Sequence, residues 1–154
     1  MTPQGVIYDV DTCVARAREH AKLAAVMFDT QQEWAAVCAF YSAYHLLRAS
    51  LINDPVFDDA HRLSRINSRI LPEDRQVHKH STGGLSKPAY GLNEIISVLY
   101  PAIRARYIRL HIASIDVRYG TGIRAISTDS LRQDLAEITR AFDDGEIICS
   151  LGAI

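Results

Sequence analysis

The chain has 154 residues, 48% hydrophobic and 23% charged, and a formal net charge of −1. That length supports a real core in one unit. The near-neutral balance excludes a global pull toward nucleic acid or an anionic membrane, so a polyanion would need a local basic patch. Of the 17 basic residues only three are lysine. Arginine suits two-pronged contacts to phosphate or carboxylate, although genomic composition bias is the plainer source of the excess.

Cys13, Cys38 and Cys149 are widely spaced and form no C-x-x-C pair, which indicates neither a zinc ribbon nor a disulfide framework. They read as buried or free thiols in a reducing compartment. No basic, then apolar, leader opens the sequence, and no uninterrupted apolar run reaches membrane-spanning length. The expectation is a cytoplasmic protein with no membrane partner.

In chain order, Asp9, Asp11 and Thr12 offer caps for a first helix over about 11–29. Its apolar positions include Val14, Ala17, Ala21, Ala24, Ala25 and Phe28. Asp29–Glu33 breaks it and starts a second helix over about 31–53. From Trp34 to Leu51 this helix carries one charge, Arg48, and no Gly or Pro. At about 100° per residue, Trp34, Cys38, Tyr41, His45, Arg48 and Ile52 share one stripe, and Val37, Phe40, Tyr44, Leu47 and Leu51 the next. The rest of its girth is Ala and Ser, so other helices should surround it.

Asn53-Asp54-Pro55 ends that helix. Asp58-Asp59 starts a third over about 57–71, stopping before Pro72. Residues 72–91 have no clean period and read as the longest loop. A fourth helical region covers about 92–119, with a kink or break near Tyr100 because Pro101 interrupts its hydrogen-bond ladder. Ser127, Thr128 or Asp129 caps a last helix to about Asp144, stopped by Gly145, and Ile147-Ile148-Cys149 folds back. No strand or repeat stands out. The predicted fold is an all-α, up-and-down bundle of about five helices. It forms one domain over 1–154, with its core in about 10–144.

The second helix reads W34-AAVCAF-Y41-SAY-H45-LL-R48-A-S-L51. It is followed by D58-D-A-H61-R62, by L99-Y100 and by S114-I-D-V-R118-Y119-G120. This order of motifs resembles the HEPN superfamily (higher eukaryotes and prokaryotes nucleotide-binding domain) over about residues 10–144. The resemblance implies a homodimer through the second and fourth helices. It also implies an RNA-directed role of defence or toxin–antitoxin type. Many such proteins are metal-independent endoribonucleases with an R-x4-6-H motif. Others bind RNA or a protein partner, such as a nucleotidyltransferase-like antitoxin, without cleaving.

Two pairs fit the motif, Arg104/His111 and Arg106/His111. Residues seven apart differ by about 20° around a helix and residues five apart by about 140°. Arg104 and His111 therefore share a face with Tyr100, Tyr107 and Arg118. Arg106 falls on the apolar stripe with Leu99, Ile103 and Leu110 and needs a buried partner or an interface. The expected catalytic set is Arg104 and His111 with Tyr107 positioning: a proton carrier that titrates near neutrality and a cation for the developing phosphorane charge. Arg48, Arg62, Arg65, Arg69 and Arg118 are candidate RNA or phosphate ligands, the middle three as one face of the third helix. Tyr41, His45 and Arg106 are candidates for a polar cluster in the core, with Asp116 or Glu94 as a partner for Arg48. His78-x-His80 lacks the further ligands zinc needs, with His61 and Asp74 unforced, so neither metal nor cofactor is expected.

Overall fold

A computed structural model describes residues 9–30, 32–76, 91–120 and 127–152. The described chain is all helical: α1 (Val10–Asp29), α2 (Ala35–Asn53), α3 (Ala60–Ile66), α4 (Leu92–Leu99), α5 (Arg104–Tyr119) and α6 (Thr128–Asp143). Short 3₁₀ turns run over Pro55–Asp58 and Pro72–Gln76. No strand occurs among the described residues.

The bundle is built around α2, which packs against α1, α5 and α6, while α5 also packs on α6. Its small residues explain this. Ala35, Ala36, Ala39 and Ala43 are fully buried and let neighbouring backbones come close. Ser42 donates to the Ala17 carbonyl of α1 at 2.8 Å, which satisfies its hydroxyl inside the contact. Phe40, Leu47 and Leu51 fill the opposite side with Leu92, Ile96, Leu110 and Ile138. The stretch Ala35–Asp58 is long and apolar enough to cross a membrane by length and composition, contrary to the expectation from the sequence, but 83% of that window is buried inside the bundle. Encirclement by other helices accounts for its hydropathy.

The predicted breaks hold, and the helix count and two helix boundaries differ. The fourth helical region splits into α4 and α5 at Tyr100–Ile103, which raises the count to six. Pro101 has no N–H to continue the ladder, and Ile103 and Arg104 close a turn onto the Tyr100 and Pro101 carbonyls. The third helix is shorter than 57–71. Asp54 caps the 3₁₀ turn through Val56 N–H and Asp59 caps α3 through Arg62 N–H, so one predicted helix becomes two pieces. Asn67 then leaves helical geometry at φ −161°. The second helix starts at Ala35 rather than 31. Asp9 and Ser127 cap α1 and α6 as expected, each accepting from the N–H three residues on. Gly145, at φ +71°, ends α6 with Gly145 N–H on Phe142 O and Glu146 N–H on Ala141 O. That is a left-handed helix stop needing no Cβ. Of the predicted loop, 72–76 is a 3₁₀ turn; 77–90, with His78 and His80, lie outside the described residues.

Two buried carboxylates fix the bundle's ends. Asp54, 3% exposed, accepts from the Tyr100 hydroxyl (2.8 Å), Cys149 N–H (2.8 Å) and Val56 N–H (3.0 Å). It binds the end of α2, the α4–α5 break and the folded-back tail at one point. Asp134, 2% exposed on α6, accepts from both Arg106 and Arg109 of α5 at 2.7–3.0 Å.

Candidate functional site

The site is an open cleft of about 460 Å³ between α4 and α5, lined by Asn93, Glu94, Ser97, Val98, Tyr107, Ile108 and His111. The break at Pro101 creates it. The break turns the chain between α4 and α5, so that residues 93–98 and residues 107–111 line one cleft.

Its polar floor is a hydrogen-bonded chain. Tyr107 is fully buried and donates to Asn93 Oδ1 at 2.6 Å. This turns the Asn93 amide nitrogen toward His111 Nε2, 3.2 Å away. An amide nitrogen only donates, so Nε2 accepts and the imidazole carries its proton on Nδ1. The His111 ring also packs against Phe40, with centroids 5.1 Å apart. Half-burial, and then the nearby Arg118 charge, hold the His111 pKa below the ordinary histidine value of 6.5; Glu94 opposes this weakly. His111 is therefore neutral near pH 7. Burial pushes the Tyr107 phenol far above its usual range, so it remains a donor.

The arginines separate sharply. Arg104 is exposed and donates to the carbonyl of Ser97 (2.6 Å), a cleft residue, so it stands at the rim rather than against His111. Arg118 reaches across to α2: Nη1 donates to the Tyr41 hydroxyl (3.2 Å), Nε to Ser114 O (3.3 Å), and the guanidinium lies 5.8 Å from the Tyr41 ring centre. Of the two, Arg118 is the charge that His111 feels. Tyr100, predicted to share that face, points instead to Asp54. Tyr107, expected in a positioning role, is buried and supports Asn93, which in turn contacts His111.

Three predicted phosphate ligands have internal partners. Arg48 is 1% exposed and donates to the Tyr44 hydroxyl (2.9 Å) and Gln76 O (3.3 Å), not to Asp116 or Glu94. Arg62 donates to the carbonyls of Leu151 and Cys149, and Arg65 to that of Gly152. Both clamp the tail. Arg69 lies beyond the end of α3, so the three do not form one helical face. In the predicted core cluster, Tyr41 and His45 do lie near each other, linked through His20 of α1 at 6.0 and 5.4 Å between ring centres. Arg106 is elsewhere. It is half-exposed and meets the buried partner its position demanded, Asp134.

Asn93 and Asp134 were missed. Their one available signal was a polar residue on the core side of an amphipathic helix. Among the described residues, no group of three or more His, Cys, Asp or Glu could hold a metal ion. A larger groove of about 620 Å³ lies between α1 and α6, floored by Ala21, Ala24, Phe28 and Leu135. The ion pairs Arg18–Asp143 (2.8 Å) and Arg132–Asp29 (3.4 Å) link the same two helices.

No family model, curated protein or solved structure matches this chain.

Proposed function

We propose that this chain is a HEPN-like, RNA-directed module of defence or toxin–antitoxin type, and that the α4–α5 cleft is where it meets RNA. One observation carries the reading: a braced, neutral His111 in an open cleft on a helix rich in arginine. α5 holds Arg104, Arg106, Arg109 and Arg118 against one acid, Asp116. Arg106 and Arg109 share the single Asp134 carboxylate, so net positive charge remains along the helix. Arg104 and Arg118, the two not held by Asp134, are the cations this reading offers to phosphate.

Binding is the primary act in this reading. For His111 to act as a base, a ribose 2′-hydroxyl must displace the Asn93 N–H from Nε2. A neutral histidine is ready to accept that proton but not to protonate the leaving oxygen. The proton taken from the 2′-hydroxyl makes His111 the acid that can return it to the leaving oxygen, with an Arg/His pair across a homodimer completing a metal-independent endoribonuclease. Arg118, fixed by Tyr41, fits the cation's role better than Arg104.

A second reading, a non-catalytic dimerisation or partner-binding protein, is favoured by the outer face of α5. Ile108, Ile112, Ile115 and Tyr119 are exposed at spacings of 4, 3 and 4, Tyr119 at 79%. A solvent face this apolar suits an interface. α2 is enclosed along nearly its whole length, so a homodimer would use α5 in its place.

The deciding experiment incubates the purified chain with a mixed RNA pool in EDTA, beside His111→Ala, Arg118→Ala and Arg104→Ala. RNA retention that falls with salt and is weakened in the Arg118 and Arg104 variants supports the RNA-directed reading. Cleavage lost in His111→Ala adds the nuclease. A folded chain that neither retains nor cuts RNA refutes it and leaves the partner-binding reading.

A further inference from the structure

Resting on the reading of the outer α5 face as an interface, we infer that this face docks in the α1–α6 groove of a second copy of the chain. The two surfaces match in length. The groove is bounded by Arg18–Asp143 at one end and Asp29–Arg132 at the other. Those ends lie eleven residues apart on α1 (18 to 29) and on α6 (132 to 143), about 16 Å at the helical rise. The exposed ridge from Ile108 to Tyr119 also spans eleven residues.

They match in shape as well. α1 and α6 both pack on α2 and meet each other only sparsely, which leaves a groove of about 620 Å³. Ala21, Ala24, Ala25 and Ala136 line it, with Phe28 and Leu135 beneath. Small side chains leave room for large ones, and Ile108, Ile112, Ile115 and Tyr119 are large and in water. A ridge of one helix seated between others is how helices ordinarily pack, and each surface here would cover the other's apolar area.

Charge selects this pairing over two α5 faces set against each other. The ion pairs along the groove set Asp29, Glu137, Asp143, Asp144 and Glu146 against Arg18, Arg132 and Arg140, which leaves the rim acidic. Asp29 and Asp143 end their helices and Asp144 caps α6, where a helix dipole disfavours a carboxylate. α5 keeps net positive charge, since its four arginines meet only Asp116 and the shared Asp134. A basic helix in an acidic groove joins opposite charges, whereas α5 on α5 opposes like ones. The side of α5 proposed for RNA stays open, because His111 and Arg118 turn toward α4 and α2. Of the ridge residues, Ile108 alone also lines the cleft.

The test follows self-association of the full chain by sedimentation velocity across a concentration series. Ile112→Arg alters the ridge; Ala25→Arg and Ala136→Arg alter the groove at exposed positions. Circular dichroism checks each fold. The unaltered chain should self-associate, and each variant should be monomeric. An equimolar mixture of Ile112→Arg and Ala136→Arg should form a heterodimer, because the first keeps an intact groove and the second an intact ridge. Association that survives Ile112→Arg or both groove variants, or a mixture that stays monomeric, would overturn the docking. Loss in Ile112→Arg alone would leave the α5 interface standing with a different counterpart. An unaltered chain that is monomeric throughout would end both, and the RNA assay would be untouched.

Discussion

Replacing Asp54 by alanine should be among the most damaging single changes in this fold. Its carboxylate serves three buried donors: the Tyr100 hydroxyl, Cys149 N–H and Val56 N–H. The Tyr100 phenol is held protonated, pushed far above its usual range first by burial and then by Asp54 itself. A stranded buried donor costs about 1–3 kcal/mol. Three stranded at once, with some relief as the tail loosens and admits water, give about 3–5 kcal/mol. Set against a typical domain stability of about 5–15 kcal/mol, that is a large fraction. Urea unfolding followed by far-UV circular dichroism measures it. Tyr100→Phe, which strands no donor, should cost only about 1 kcal/mol. The double variant should cost less than the two singles combined, because Asp54→Ala made on top of Tyr100→Phe strands two donors rather than three. Hydrogen exchange at Cys149 should speed up in Asp54→Ala even where the rest of the bundle stays protected. An Asp54→Ala loss below about 1 kcal/mol, with an unchanged denaturant slope, would refute the claim that this carboxylate is the junction of α2, the α4–α5 break and the tail.

Other consequences are as direct. His111 favours its neutral form in the folded state, so its contribution to stability is present above the unfolded pKa of about 6.5 and is lost as pH falls toward the lower folded value. The drop in unfolding free energy between pH 7.5 and 5 should therefore shrink in His111→Asn, as urea titrations at both pH values would show. Gly145→Ala should cost about 1 kcal/mol through backbone strain alone, since φ is +71° and a Cβ there meets nothing within 4 Å. A loss of several kcal/mol would mean that the turn packs more tightly than described. Arg106→Ala should destabilise more than Arg104→Ala, because it takes one partner from a buried carboxylate while Arg104 holds only an exposed carbonyl. The half-exposure of Arg106 and the remaining Arg109 contact keep its cost to about 1–2 kcal/mol. Equal melting temperatures for the two variants would contradict the α5–α6 clamp.

What was legible in the sequence followed from periodicity and breakers, which are local. The caps at Asp9 and Ser127, the stop at Gly145 and the break at Pro101 each depend on residues within one helical turn, and the structure places all four where the pattern does. The third helix escaped because two competing caps, Asp54 and Asp59, divide a stretch whose composition permits one continuous helix. The burial of α2 was legible in the same local way, since the small and apolar residues around its girth call for neighbouring helices and the bundle supplies them.

The arginines mark where local reading stops. A helical wheel gives the direction of a side chain but not what waits there. Arg48, alone on an apolar helix, invites a phosphate, yet its partners are a tyrosine one turn back and a carbonyl 28 residues on. Arg62 and Arg65 look like a binding face until a tail nearly 90 residues later lays its carbonyls across them. The wheel joins Arg104 to His111 correctly by angle, but seven residues of rise put about 10 Å between them, and Ser97 on α4 holds the guanidinium at the rim. Arg118 has the same separation on the other side of His111 and is the cation that shifts its titration. The difference lies in α2: Tyr41 pins Arg118 against the bundle beside the His111–Phe40 contact. An Arg/His pairing on this helix is thus decided by the neighbouring helix and not by the spacing of a motif, so Arg118→Ala, more than Arg104→Ala, should raise the pKa of His111 in an NMR titration.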